Sequence, residues 1–191
     1  APGTGWNITI GDNVTFKNSE NETVDKSTLT IGNSASGVPF LVNGKYHTSA
    51  EPNLTIKAGD TVKLLSNVEI TEQVTIREEI TLDGDGYTIT RKPGGKDKTV
   101  KAGILVTGAA TIQNLTVSGP NSTERGLDST TGKETGWDEG EFGIKFYKAN
   151  GAQLINCEVT GANAGVQVNG GSVTMSGSID LSGNEWGGIE V

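Results

Sequence analysis

The chain has 191 residues, 33% of them hydrophobic and 28 of them glycine, with 23 acidic residues against 15 basic for a net charge of −8. That length suits one domain, and so small an apolar share with so much glycine suits a thin core with many turns rather than a thick globular one. The acidity argues against nucleic acid and anionic membrane surfaces as partners, no apolar run is long enough to span a bilayer, and a single cysteine and histidine provide no Cys/His metal set.

From the N-terminus, an apolar-Thr-Ile signature begins at Ile8, Leu29, Leu54 and Val74, at intervals of 21, 25 and 20 residues. A period in this range, carried by β-branched residues and broken by Gly and Asn, predicts one short group of strands per turn of a repeating coil. Residues 1–53 are expected to hold N-terminal rungs and a cap, because Pro39, the Asn43-Gly44 turn and Pro52 interrupt the pattern. His47 falls in an irregular segment of this region, and Trp6 is expected to pack beside the first rung.

Residues 54–191 are expected to form regular rungs. Between Asp60 and Asp83 the apolar residues come as pairs two apart, Val62/Leu64, Val68/Ile70, Val74/Ile76 and Ile80/Leu82, a strand periodicity that no helical face collects. The six-residue recurrence also raises a left-handed hexapeptide coil. That coil needs a small residue at each corner, whereas both inward positions here are bulky and the pattern stops at Gly84. Asp83-Gly84-Asp85-Gly86 offers two carboxylates that could converge on calcium. Asp-Gly is also an ordinary turn former, and neither an EF-hand nor a calcium β-roll surrounds it, so a bend is the preferred reading.

Gly-apolar-x-apolar recurs at Gly103, Gly143, Gly165 and Gly188, and residues 110–119 match 152–161 at a constant offset of 42. That match sets Ile112 against Leu154, Asn114 against Asn156 and Val117 against Val159. The intervening 120–140, rich in Gly, Ser, Thr and charge, reads as a loop thrown out from one rung. Cys157 takes the place of inward Leu115 and is expected in the core. The expected fold is therefore all-β, a right-handed single-stranded parallel β-helix of about 22 residues per rung, since parallel crossovers favour the right hand. Asn at the bends can adopt left-handed backbone angles and bond to its copy in the next rung, so Asn114 and Asn156 are expected to start a structural ladder.

The run Ile80-Thr-Leu-Asp-Gly-Asp-Gly-Tyr-Thr-Ile89, followed by Gly-Ile-x-Val and Ile-x-Asn-Leu-x-Val rungs over residues 54–191, resembles the pectin-lyase-like superfamily of right-handed parallel β-helices. The resemblance implies that architecture. Its members include pectate lyases, polygalacturonases, tailspikes and large surface proteins of bacteria and archaea, surface layers and adhesins among them. The Asn-Thr-Asp, Asp-Asp, Gly-His-Gly and Arg-Ile-Lys motifs of polygalacturonases do not occur here. Pectate-lyase-like elimination would need a basic side chain near the uronate α-proton and acids holding calcium. The nearest set is Lys145 as base, with Asp138, Glu139 and Glu141 around metal or substrate. Lys145 lies between inward Ile144 and Phe146 and should point outward, where its stacked counterparts Leu105, Gln167 and Glu190 supply no second base.

The preferred function is a non-catalytic extracellular module of a cell-surface protein, working as rigid stalk, assembly element or adhesin, with a surface glycan or another surface protein as partner. Calcium-assisted polysaccharide cleavage is the alternative, and calcium is the only cofactor it would require. Trp137 in the loop and outward Tyr147 are the candidate sugar-stacking rings; Trp186 is expected to pack near the Gly187-Gly188 corner. Sequons at Asn7, Asn13, Asn21, Asn53, Asn114 and Asn121 suggest export. A rung begins at Gly188 and stops at Val191, so the chain is expected to continue or to self-associate through this open edge.

Overall fold

A computed structural model describes residues 16–17, 23–24, 37–51, 54–92, 102–120 and 142–191. These residues are all-β, with no helix among them, and their pairing is mostly parallel. Strands β1 (Phe16–Lys17) and β2 (Thr23–Val24) pair antiparallel with each other. Strands β3 (Pro39–Val42) and β4 (Lys45–Thr48) form a hairpin through Asn43 and Gly44, whose φ angles of 50° and 82° are the two positive values a type I′ turn demands.

The hairpin does not stand alone. β3 pairs antiparallel with β5 (Thr61–Leu64), setting Phe40 opposite Leu64 and Val42 opposite Val62. The turn is fastened to the same strand: Thr61 N donates to Asn43 Oδ1 at 2.9 Å, and Asn43 Nδ2 donates to Asp60 Oδ1 at 2.8 Å. His47 therefore lies in a strand, not in the irregular segment expected from sequence. Leu54-Thr55-Ile56 is not a strand, whereas its copy Val74-Thr75-Ile76 is. The earlier copies of that signature, at 8 and 29, lie outside the described residues, as does Trp6.

Beyond β5 the segments fall into three parallel groups. The first joins β7 (Val74–Ile76), β10 (Ile104–Val106), the start of β13 (Phe142–Thr160), the start of β14 (Ala164–Asp180) and β15 (Gly187–Glu190); Val74, Ile104, Ile144, Val166 and Ile189 follow one another in register. The second joins β5, β8 (Thr81–Asp83), β11 (Thr111–Gln113) and the middles of β13 and β14, aligning Val62, Leu82, Ile112, Leu154 and Met175. The third joins β6 (Val68–Ile70), β9 (Thr88–Arg91), β12 (Thr116–Ser118) and the far part of β13, aligning Val68, Ile89, Val117 and Val159. β13 and β14 reach across all three groups because they bend, with register shifts between Asn150 and Ala152 and between Ile155 and Cys157. Both matches read from the sequence, the Gly-apolar-x-apolar copies and the 42-residue offset, are thus pairing registers.

The core lies between the groups. Ile104, Val106, Ile112, Val117, Ile144, Phe146, Leu154, Val159 and Val166 are fully buried, each from an alternate position of its strand. Burying each such side chain contributes about 1.5–3 kcal/mol. The glycine that recurs at 103, 143, 165 and 188 has a steric cause: a Cβ on Gly143 would lie 2.2 Å from Val159 Cγ1 and 3.0 Å from Gly165 O. Trp186, expected to pack, is 48% exposed. Among the described residues, β15 covers β14 only over Ala164–Gln167, and Met175 and Ile179 beyond it are partly exposed.

Candidate ligand-binding face

Alternation along the first-group strands fixes what faces outward. Ile144 and Phe146 are fully buried, so Lys145 between them projects from the opposite face, and parallel register sets Leu105, Lys145, Gln167 and Glu190 in one row. The Lys145 ammonium lies 5.4 Å from the centroid of the Phe142 ring, a cation–π contact, and forms no ion pair among the described residues. Phe142 closes a small second cluster with Ala102 and Ala164.

Gln167 is 8% exposed, and its Nε2 donates to Glu190 Oε1 at 2.7 Å while its Oε1 has no hydrogen-bond partner. Two residues along the same face, Tyr147 is 39% exposed, with Lys148 Nζ 5.1 Å from its ring centroid and Asn169 as its strand neighbour. The face thus offers an ammonium donor, a carboxylate and a ring, with an amide oxygen shielded from solvent among them. Tyr147 joins Lys145 here, while Trp137, Asp138, Glu139 and Glu141 lie outside the described residues. Sequence reasoning had named Gln167 and Glu190 only as positions lacking a second base; the signal it passed over was their stacking as amide against carboxylate.

The carboxylates of Asp83 and Asp85 have different partners. Asp83 Oδ1 accepts from Asp85 N at 3.0 Å and Asn114 Nδ2 at 3.1 Å, and its Oδ2 accepts from Gln113 Nε2 at 3.1 Å. Burial pushes the Asp83 carboxyl up, but these bonds and the Lys63 charge outweigh it and hold the group below the ordinary aspartate range. Asp85 instead pairs with Lys63 Nζ at 2.9 Å. No group of three or more His, Cys, Asp or Glu side chains suited to a metal occurs among the described residues.

What Asp83 does is anchor a ladder. Asn114 and Asn156 both have φ 50°, and Asn156 Nδ2 donates to Asn114 Oδ1 at 3.3 Å. Asn156 Oδ1 in turn accepts from Ser178 N at 3.0 Å. The ladder therefore runs Asp83, Asn114, Asn156, Ser178 N. Asp83 was missed as its first member although Leu82 and Ile112 align, which brings Asp83 within reach of Gln113 and Asn114. Cys157 is 3% exposed and sits in the core, where burial pushes its thiol up.

No protein-family model, curated protein or solved structure matches this chain.

Proposed function

We propose that the chain winds as a right-handed parallel β-helix of about 22 residues per rung and serves as a non-catalytic module of an extracellular cell-surface protein, a rigid stalk whose outward face binds a surface glycan. The observation that carries the reading is the register of the first group: Ile104, Ile144, Val166 and Ile189 follow one another in parallel, with like residues in contact. Segments paired on both sides over a continuous apolar column resist bending, which is what a stalk requires. The glycan half of the reading is supported by the polar row at Lys145 and the exposed Tyr147 ring beside it. The resemblance to pectin-lyase-like chains supports both the coil and the choice of a saccharide.

A glycan array tests the glycan half: retention of at least one saccharide is expected, and an array silent throughout contradicts it. Incubation with polyuronates and calcium distinguishes the lyase alternative, because release of unsaturated products would overturn the non-catalytic reading.

A further inference from the structure

The Gln167 amide is oriented by its neighbour. Nε2 donates to Glu190 Oε1 at 2.7 Å, and turning the amide over would set oxygen against oxygen. Oε1 is therefore directed away from the Glu190 carboxylate. Buried acceptors in folded proteins are nearly always paired, yet this oxygen has no donor, and its residue is more than nine-tenths buried. The nearest cation in the row does not serve it, because Lys145 leans over the Phe142 ring at 5.4 Å. Nor do Lys145 and Glu190 neutralise each other: two strand spacings, about 9.6 Å at ~4.8 Å each, separate their positions. The row thus holds an unpaired acceptor shielded from solvent, a carboxylate with oxygen to spare and an ammonium that has a ring contact but no ion pair among the described residues.

From this arrangement we infer that the Lys145–Gln167–Glu190 row is a binding site for a neutral, hydroxyl-rich oligosaccharide, with a sugar hydroxyl donating to Gln167 Oε1 once the side chains that shield that oxygen move aside. A second hydroxyl donates to the Glu190 carboxylate, and the Lys145 ammonium donates to a ring or hydroxyl oxygen. Tyr147, on the same face two residues from Lys145, supplies a ring on which a pyranose stacks. Charge selects the class. The row's one ammonium and one carboxylate sum to nothing within a chain of net charge −8, so a uronate or sulfated sugar gains at Lys145 but loses at Glu190 and in the field of the whole protein. This rests on the glycan-binding half of the proposed function and names its residues and ligand class.

The experiment titrates the full chain by calorimetry with neutral hexasaccharides of β-1,4-glucan, mannan and xylan, and with an α-1,4-uronate hexamer. It is repeated on Gln167→Leu, Lys145→Gln and Tyr147→Ala, with circular dichroism to confirm each fold. At least one neutral hexamer is expected to bind, more tightly than the uronate, with Gln167→Leu weakening it at least tenfold. Lys145→Gln and Tyr147→Ala are each expected to weaken it about three- to tenfold, and they keep the test open should Gln167→Leu fail to fold. Binding unchanged in every folded variant overturns the site and leaves the glycan-binding reading standing. A preference for the uronate overturns the ligand class alone. Silence with every hexamer overturns the inference, and the glycan array then decides the broader reading separately.

Discussion

Asn156 donates its side-chain amide to the side-chain carbonyl of Asn114 at 3.3 Å, across 42 positions of sequence and between two residues with the same φ of 50°. Two costs are met by one residue type at each bend. Asn tolerates the left-handed backbone better than most side chains, and its amide satisfies the copy on the neighbouring strand. Asn114→Ala removes the bonds to Asp83 and Asn156 and places an alanine in the left-handed region, so a loss of about 1–3 kcal/mol is expected. Urea denaturation checks this, with Asn114→Gly as comparison. Glycine loses the bonds but keeps the backbone angle, and should be the milder change.

Gly143→Ala should be far more damaging than its small size suggests. The added methyl would sit 2.2 Å from Val159 Cγ1 between two packed groups of strands, and overpacking of this kind costs about 1–3 kcal/mol. By contrast Gly44→Asn meets nothing within 4 Å at the Cβ position, and its φ of 82° lies near the region asparagine tolerates. Thermal unfolding of the two variants should show a large fall in Tm for the first and a small one for the second.

Cys157 should be silent toward thiol reagents while the chain is folded. It is 3% exposed, and burial raises its thiol above the ordinary range, so little thiolate exists to react. Labelling with an aromatic disulfide should therefore follow unfolding, rising with urea in step with the loss of circular dichroism. Rapid labelling of native protein would remove Cys157 from the core.

Acid should loosen the N-terminal hairpin and the ladder together. Glu51 is held below the ordinary glutamate range first by its bond to His47 Nδ1 at 2.8 Å and then by the Thr48 amide. Asp60 is lowered first by the Lys57 amide and then by Asn43, and Asp83 by the bonds of the ladder anchor. Each carboxyl binds its proton more weakly in the folded state than in the unfolded one. Their contribution is thus fully present above the unfolded values near pH 4 and lost as pH falls through the lower folded values. Hydrogen exchange at pH 6 and pH 3 should show protection falling at Thr48, Lys57 and Thr61. Protection unchanged between the two would contradict the linkage.

The parallel registers were legible because both are carried by side chains that must be alike to stack: Ile112 on Leu154, Val117 on Val159, Ile104 on Ile144. The bends were legible at Asn114 and Asn156 for the same reason. The apolar-Thr-Ile repeat misled at Leu54 because three residues of strand-like composition do not make a strand without a paired neighbour, and β7, which carries the next copy, pairs only with β10 among the described strands. His47 was misplaced because an Asn-Gly turn with a strand on either side is a hairpin even where Pro39 opens the first strand. At the candidate face, strand alternation made the outward direction of Lys145 and Tyr147 legible. It could not show the idle oxygen of Gln167, which depends on Glu190 claiming the other end of the amide.

The most direct measurement is the set of inter-strand nuclear Overhauser contacts of Ile144 and its flanking backbone. The account predicts parallel-pattern contacts from this one strand to Ile104 on one side and to Val166 on the other, and from Val166 onward to Ile189. Antiparallel contacts, or an Ile144 with no contact to either neighbour, would contradict the stacked arrangement on which the stalk, the ladder and the polar row all depend.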